Sequence, residues 1–138
     1  MAKVVVTESL PVSADELWKR VGGVGSLSDW HPGILKSEVS GEGVGAIRTC
    51  QLASGATLVE RIQEINDAER YYVYSMQESP LPIKNYVATL RVREGEGGGS
   101  VIEWSSEFDA VDVPEGELIA RLETAYRGGL DNLKNCLL

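Results

Sequence analysis

Residues 114–138 have the pattern of hydrophobic and polar positions that is typical of one long amphipathic helix. Apolar side chains recur there at steps of three or four and so share one face of the helix. They are Ile119, Leu122, Tyr126, Leu130, Leu133 and Leu137. Pro114 suits the first turn, because an N–H group at that position would have no partner. We expect this helix to bury its apolar face on the strands that precede it.

Gly128 and Gly129 interrupt the apolar face of the predicted helix. Each glycine costs about 1 kcal/mol of helix stability relative to alanine, so the pair needs a physical reason. One interpretation is a kink, or a close approach of the helix to a strand. The other is that the missing side chains leave a cavity between the helix and the sheet. The sequence leaves both interpretations open.

Seven segments ahead of this helix have the composition of β-strands, rich in β-branched and aromatic residues and separated by turn residues. They span residues 3–9, 34–39, 46–52, 57–65, 71–77, 85–93 and 101–108. Pro80 and Pro82 predict a loop between the fifth and sixth strands, because proline does not fit a central strand. The short connections predict an antiparallel meander.

Two short helices are predicted between the first and second strands. Ser13 and Glu16 form a capping box at the start of the first helix, which runs to about Val21. The second helix spans residues 26–30, with Ser26 as its cap, and ends at a His-Pro-Gly sequence. The whole order of elements predicts an α+β fold with seven strands, two short helices and one long closing helix.

The composition is that of one globular domain, residues 1–138, with 43% hydrophobic and 25% charged residues. The net charge of −8 disfavours nucleic acid and anionic membranes as partners, because both attract basic surfaces.

No apolar run approaches the roughly 18 residues of a membrane span, and the N-terminus lacks the apolar region of a signal peptide. Cys50 and Cys136 are too few for a disulfide framework and predict two buried thiols in a reducing cytoplasm.

Three groups of residues, in this order and spacing, resemble a known superfamily. The groups are Leu17-Trp18 with Trp30-His31 and Lys36-Ser37; Val44-Gly45-Ala46-Ile47-Arg48 with Ser54-Gly55 and Glu60-Arg61; and Lys84-Asn85-Tyr86 with Val111-Asp112-Val113-Pro114-Glu115-Gly116. Along its whole length the chain resembles the START/Bet v 1-like (SRPBCC) superfamily, and within it the polyketide cyclase/dehydratase-like and abscisic-acid-receptor-like branch. The resemblance implies the helix-grip fold, in which a curved, seven-stranded antiparallel sheet wraps around a long C-terminal helix.

In the receptors of this branch, a lysine, glutamates and a tyrosine line the hormone pocket. The resemblance places His31 at the position of the lysine. It matches Glu60, Glu103 and Tyr86 to the pocket acids and the tyrosine, and it places Gly129 where the receptors have an asparagine in the long helix. It therefore implies a small-molecule site between the sheet and the helix.

Two loops, a gate and a latch, close over the pocket in those receptors. Residues 54–57 fall at the gate but lack the Leu-Pro pair of the receptors. Residues 80–83 fall at the latch but lack its His-Arg pair. The resemblance thus implies that these two segments lie at the mouth of the site.

Strand alternation predicts a site of this kind from the residues alone, because every second side chain of a strand faces the same side. If Glu60 faces the closing helix, Leu58 and Ile62 do so as well. Further pairs share faces: Cys50 with Leu52, Tyr74 with Met76, and Tyr86 with Ala88. An apolar and aromatic lining with few polar groups is typical of a small-molecule site. The predicted ligand-binding residues are His31, Cys50, Leu52, Leu58, Glu60, Tyr74, Met76, Ile83, Tyr86, Glu103, Leu122, Tyr126 and Gly129.

The two glutamates of this set have an alternative placement. A carboxylate that faces a core is costly unless it is paired or its pKa rises. Glu60 and Glu103 therefore either face the site, or face solvent, or pair with an arginine. The candidate arginines are Arg48, Arg61 and Arg91.

His31 and Trp30 also have two interpretations each. His31 either ends the second short helix at the surface, or acts as a general base that Asp29 or a glutamate of the site orients. Trp30 either packs under the short helix or stacks on a ligand. Because His31 is the only histidine and no HxH, HxxxH or CxxC spacing occurs, we expect no metal site.

Three functions are compatible with these patterns. The first is the binding of a hydrophobic or aromatic small molecule, such as a lipid, a polyketide or a hormone-like compound. The second is a polyketide cyclase or dehydratase in which carboxylates, a tyrosine or the histidine transfer protons. The third is an interaction protein with a vestigial cavity. We expect no cofactor, and the sequence leaves a weak homodimer open.

Overall fold

The computed structural model describes residues 1–137 and contains one seven-stranded antiparallel sheet. The strands are β1 (Ala2–Leu10), β2 (Ile34–Ser40), β3 (Ile47–Leu52), β4 (Thr57–Asn66), β5 (Tyr71–Glu78), β6 (Ile83–Glu94) and β7 (Ser100–Ala110). Their order in the sheet is β1-β7-β6-β5-β4-β3-β2. Register shifts in the pairs β2–β3, β4–β5 and β6–β7 bend the sheet, as bulges do. The predicted meander is confirmed for β2 to β7, and β1 completes the sheet beside β7.

Three α-helices accompany the sheet, namely α1 (Ala14–Val21), α2 (Leu27–Trp30) and α3 (Glu115–Leu137). Half of the predicted capping box of α1 is present: the backbone N–H of Glu16 donates to the Ser13 hydroxyl, whereas the Glu16 carboxylate lies 3.6 Å from Lys19 Nζ instead of bonding Ser13. Ser26 occupies the predicted N-cap position of α2, but its hydroxyl does not cap the helix and donates to the Gly23 carbonyl instead. Residues 24–26 form a 3₁₀ turn that leads into α2. Leu138, the last residue of the predicted long helix, lies outside the described residues.

The long helix α3 buries one face against the sheet. Its buried residues are Leu118, Leu122, Tyr126, Gly129, Leu130 and Leu133. The predicted face differs at its start, where Leu118 is buried and Ile119 is only half-buried, because α3 turns Leu118 toward the sheet. None of the helices among residues 1–137 is both long and apolar enough to cross a membrane.

The position of α3 over the sheet leaves room for a cavity. The helix backbone runs close to β1 and, to a lesser degree, to β7, whereas it stays farther from β3, β4 and β5. Side chains alone must therefore fill the space between the helix and these strands. The helix-grip architecture predicted from the sequence is confirmed, and its unfilled side is where a site can form.

Candidate functional site

A cavity of about 480 Å³ lies between the sheet and α3. Its volume is within the range of about 300 to 1,000 Å³ that is usual for small-molecule sites. The lining residues are Leu27, His31, Gly33, Ile34, Leu52, Ala53, Ser54, Leu58, Glu60, Tyr74, Met76, Ser79, Pro80, Leu81, Ile83, Tyr86, Trp104, Arg121, Leu122, Ala125 and Tyr126. Most are apolar or aromatic.

The cavity has a buried floor and an exposed mouth. The floor consists of the lining residues that are almost inaccessible to solvent, among them Glu60, Tyr74, Tyr86, Trp104 and Tyr126. We call the mouth the lining residues that are exposed to solvent, namely Ala53, Ser54, Pro80, Arg121 and Ala125. The mouth therefore combines the loop after β3, the loop after β5 and one side of α3, so both loops implied by the resemblance lie there.

Trp104 is the centre of the aromatic floor. Its ring stacks on that of Tyr126 with the ring centroids 4.3 Å apart and the planes 12° from parallel. Its indole N–H donates to the Tyr74 hydroxyl at 3.0 Å. Trp104 is thus held on two sides, by a helix residue and by a strand residue, and its position is fixed before any ligand enters.

A second part of the floor is a chain of hydroxyl groups. The Tyr86 and Tyr126 hydroxyls are hydrogen-bonded to each other, and the Tyr126 hydroxyl also bonds the Ser106 hydroxyl at 2.9 Å. Burial raises the pKa of Tyr126 to about 12. Burial also raises the pKa of Tyr86 and of Tyr74 well above the ordinary value. All three tyrosines are therefore neutral hydrogen-bonding groups at physiological pH.

Glu60 brings a carboxylate to the floor, and Arg48 balances its charge. The Arg48 Nε atom donates to Glu60 Oε1 at 2.8 Å, and both side chains are buried. Arg48 Nη1 also donates to the Val24 carbonyl and to the Tyr72 hydroxyl, and the guanidinium lies 4.7 Å from the centroid of the Tyr74 ring. Cross-strand pairing explains this contact, because Arg48 of β3 lies directly opposite Glu60 of β4.

His31 is held by hydrogen bonds at both ring nitrogens. Its Nε2 donates to the carbonyl of Ala125 at 2.9 Å, while its Nδ1 accepts the backbone N–H of Gly33 at 3.0 Å. A neutral ring with its proton on Nε2 satisfies both bonds. Burial lowers the pKa of His31, and the bond to Ala125 opposes that shift. His31 therefore fastens the segment after α2 to α3, and neither nitrogen is free to act as a base.

The structure brings most of the predicted site residues together at this cavity. Those that line it are His31, Leu52, Leu58, Glu60, Tyr74, Met76, Ile83, Tyr86, Leu122 and Tyr126. That these residues bind a ligand stays a prediction. Trp30 does not line the cavity but packs edge-on against Trp104 with the centroids 5.7 Å apart.

Three predicted site residues do not line the cavity, and their placement is corrected. Glu103 faces the outer side of the sheet, where Arg93 lies 3.7 Å from its carboxylate, because Ile102 and Trp104 on either side of it point inward. Cys50 is buried behind Glu60, and its thiol lies 3.7 Å from Glu60 Oε1. Gly129 is covered by the His31 ring.

Several lining residues were not predicted from the sequence. Trp104 could have been found from alternation in β7, since Ile102 and Phe108 share its inward face. Arg121 and Ala125 lie beside the apolar face of α3, where helical periodicity gives only a weak signal. Leu27 and Gly33 depend on how α2 folds over the sheet, which no local pattern reports.

Among the described residues 1–137, no three His, Cys, Asp or Glu side chains lie close enough together to hold a metal ion. What the site offers is an apolar space, a paired carboxylate, neutral hydroxyl groups and one arginine. This arrangement can enclose an apolar molecule and hydrogen-bond a few of its polar atoms.

Comparisons with known proteins agree with this architecture. The family model described as polyketide cyclase / dehydrase and lipid transport matches residues 1–137. A comparison with the curated proteins gives no match.

Solved structures with the same fold include three bacterial proteins. XoxI from Bacillus cereus is 35% identical with a TM-score of 0.95, over 99% of this chain and 96% of that one. An uncharacterised protein from Bacillus thuringiensis is 35% identical with a TM-score of 0.93, over 99% and 98% of the two chains. A protein from Thermobifida fusca is 27% identical with a TM-score of 0.87, over 97% and 91%.

Proposed function

The chain belongs to the polyketide cyclase/dehydrase and lipid transport family, and from this premise we propose that it binds a hydrophobic or aromatic small molecule between the sheet and α3. The observation that carries the proposal is the cavity of about 480 Å³ with its mostly apolar lining. The mouth leaves this apolar lining accessible to water, so a ligand that covers the lining removes apolar surface from water and gains affinity.

The floor supplies the groups that would orient a ligand. Glu60 Oε1 accepts from Arg48, while Oε2 has no hydrogen-bond partner among residues 1–137. A ligand hydroxyl or amine could donate to this second oxygen. The Trp104 ring and the neutral hydroxyls of Tyr74 and Tyr86 add apolar and hydrogen-bonding surface beside it. A few convergent polar groups in an apolar space favour a ligand with an apolar body and a small polar end.

A pair of variants on the same helix tests the proposal. Ala125 lines the cavity mouth, and Ala120 is exposed on α3 without lining the cavity. Ala125→Trp fills the entrance, whereas Ala120→Trp adds the same side chain outside it. We expect the neutral probe N-phenyl-1-naphthylamine to bind the wild type and the Ala120→Trp variant, and to bind the Ala125→Trp variant at least about tenfold more weakly. Equal binding by both variants would place the probe outside the cavity and contradict the proposal.

A second candidate function is proton transfer on a poly-β-ketone or a similar substrate. Enolisation needs a base near the acidic carbon and a donor near the carbonyl group. Glu60 and the Tyr86 hydroxyl line the same cavity and could fill these roles, whereas the nitrogens of His31 are both occupied. Glu60→Gln should then abolish turnover, and Glu103→Gln on the outer face should retain it. Turnover that survives Glu60→Gln in a folded protein would exclude this mechanism.

Other expectations from the sequence stay predictions. They concern a single domain, a cytoplasmic location, a weak homodimer, and the absence of a cofactor, a metal and a nucleic-acid partner. Cys50 and Cys136 are both free thiols, which is compatible with a reducing compartment. Cys50 is buried as predicted, whereas Cys136 is exposed, so the prediction that both thiols are buried is wrong for Cys136.

A further inference from the structure

Arg121 is the one arginine in the lining of the cavity. It lies on α3 immediately before Leu122, is exposed to solvent and belongs to the mouth. Among residues 1–137, its guanidinium has no carboxylate within 4.0 Å and no hydrogen-bond partner. Four other arginines do form ion pairs under the same criterion: Arg48, Arg70, Arg93 and Arg127.

The charge of Arg121 is not balanced by any other lining residue. The lining contains one acidic side chain, Glu60, and Arg48 already neutralises it. His31 is neutral when both of its hydrogen bonds are made. The cavity therefore carries a net positive charge at its mouth, although the whole protein has a net charge of −8. The charged end of an anionic ligand in this cavity therefore meets one unpaired cation and no unpaired carboxylate among the lining residues.

Two serines of the lining add hydrogen-bond donors: Ser54 belongs to the mouth, and Ser79 is half-buried next to Pro80 of the mouth. Ser54 Oγ accepts the backbone N–H of Ala56 at 3.4 Å, and Ser79 Oγ accepts the backbone N–H of Leu81 at 3.1 Å. Because each hydroxyl accepts in these bonds, its own hydrogen stays available to donate. Both serines line the cavity. A guanidinium binds carboxylates through charge-assisted hydrogen bonds, and these hydroxyl groups offer further donors within the same cavity.

We propose that the ligand is an amphipathic acid, whose apolar body lies on the aromatic floor and whose carboxylate lies at the mouth against Arg121. This inference rests on the proposed binding function and specifies the class of ligand. The carboxylate can belong to a fatty acid or to an aromatic acid, since both combine an apolar body with one anionic end. The apolar body enters first, because the floor offers no unpaired cation to a carboxylate.

Two pairs of acid and methyl ester test this inference in the full-length protein. The pairs are dodecanoate with methyl dodecanoate, and 2-naphthoate with methyl 2-naphthoate. Each compound competes with N-phenyl-1-naphthylamine, which is uncharged and reports occupation of the cavity without bias toward anions. We expect each acid that binds to bind about tenfold more tightly than its ester, equal to about 1.4 kcal/mol. The pair with the higher affinity identifies the class of apolar body.

Variants of two unpaired arginines assign the preference to a residue. Arg20 is exposed at the end of α1, forms no ion pair among residues 1–137 and does not line the cavity, so Arg20→Gln is the matched control. Arg121→Gln should abolish the preference for the acid and leave the affinity for the ester unchanged, whereas Arg20→Gln should retain the preference. Raising the salt concentration should weaken the preference in the wild type, because Arg121 is exposed.

The outcomes separate this inference from the proposed function. Equal binding of acid and ester, or an acid preference that survives Arg121→Gln, would overturn the assignment of an anionic end while leaving a hydrophobic ligand in place. Failure of the probe and of all four compounds to bind the wild type would count against the proposed function and would remove the inference with it.

Discussion

The imidazole ring of His31 lies so close to the backbone of Gly129 that no side chain fits between them. A Cβ atom at position 129 would lie 2.5 Å from Cδ2 of the ring and 3.0 Å from Nε2. The glycine thus lets the segment after α2 pack directly on α3, where Nε2 donates to the Ala125 carbonyl. This contact explains one of the two glycines that interrupt the apolar face of α3. The helix does make a close approach there, but to His31 in the segment after α2 and not to a strand.

Gly129→Ala should destabilise the protein, and Gly128→Ala should not. The new methyl group at position 129 displaces the His31 ring and breaks its bond to α3, so we expect a loss of about 1 to 3 kcal/mol in the free energy of unfolding. At position 128 an added Cβ has no atom within 4 Å, and the better helix propensity of alanine should add up to about 1 kcal/mol. Urea denaturation of both variants measures the difference.

The double variant His31→Ala with Gly129→Ala supplies the control for that contact. Removing the ring should leave space for the new methyl group, so Gly129→Ala should cost much less in the His31→Ala background than in the wild type. The same cost in both backgrounds would mean that His31 is not the obstacle.

The stability of the protein should decrease as the pH falls through the ordinary range of histidine titration. Burial lowers the pKa of His31 below 6.5 in the folded state, so the unfolded chain binds the proton more tightly. The neutral ring therefore contributes to the free energy of unfolding above pH 6.5. This contribution is lost as the pH falls toward the lowered pKa of His31 in the folded protein. Protonation also removes the acceptor that Nδ1 offers to the Gly33 N–H.

Urea denaturation at about pH 7.5 and about pH 5.5 measures this effect. His31→Gln is the control, because the glutamine side chain does not titrate and His31 is the only histidine of the chain. We expect the wild type to lose more stability between the two pH values than the variant loses. Parallel losses in the two proteins would show that other groups dominate and that the His31 pKa is not lowered.

Removal of either Arg48 or Glu60 alone should lower the free energy of unfolding strongly. Replacement of both by apolar residues should lower it much less. Glu60→Leu leaves the Arg48 guanidinium without its counter-charge in a site that solvent does not reach, so we expect a loss of about 3 to 5 kcal/mol in the free energy of unfolding. Arg48→Met should have a similar cost. The double variant, with two apolar residues that face each other across β3 and β4, should be more stable than either single variant.

A double-mutant cycle in urea tests this coupling. A double variant that loses the sum of the two single losses would contradict the coupling of Arg48 to Glu60.

The two cysteines should differ sharply in reactivity. Cys50 is buried, and burial raises the pKa of its thiol to about 12, so almost no reactive thiolate forms at neutral pH. Cys136 is exposed near the end of α3. Iodoacetamide should therefore modify one thiol of the folded protein quickly and the second only after unfolding. In Cys136→Ser the fast reaction should disappear, and a fast reaction that remains would mean that Cys50 is accessible.

The strands and the closing helix could be predicted because their patterns are local. Alternation in β4 correctly puts Leu58, Glu60 and Ile62 on one face, and the cap at Ser13 marks the start of α1. The same alternation in β7 turns Glu103 outward between Ile102 and Trp104. The prediction that Glu103 lines the site followed the resemblance instead of this local pattern.

The remaining features depend on contacts between distant parts of the chain. Gly129 is explained only by His31, which approaches it from the segment after α2. The burial of Arg48 depends on the register between β3 and β4, which brings Glu60 opposite it. The position of Arg121 at a cavity mouth depends on how far α3 lies from β3, β4 and β5. The sequence pattern of a single helix or strand does not predict how close it lies to another element, so these features could not be predicted.

Methyl NMR spectroscopy during a titration with N-phenyl-1-naphthylamine tests the central claim, that a small molecule occupies the cavity between the sheet and α3. Leu58, Met76 and Ile83 line the cavity, and Val5 and Val87 are exposed on the outer face of the sheet. The account predicts intermolecular NOEs and shift changes at the methyl groups of the first three residues and none at the two valines. NOEs to Val5 and Val87, with unchanged signals for Leu58, Met76 and Ile83, would contradict it.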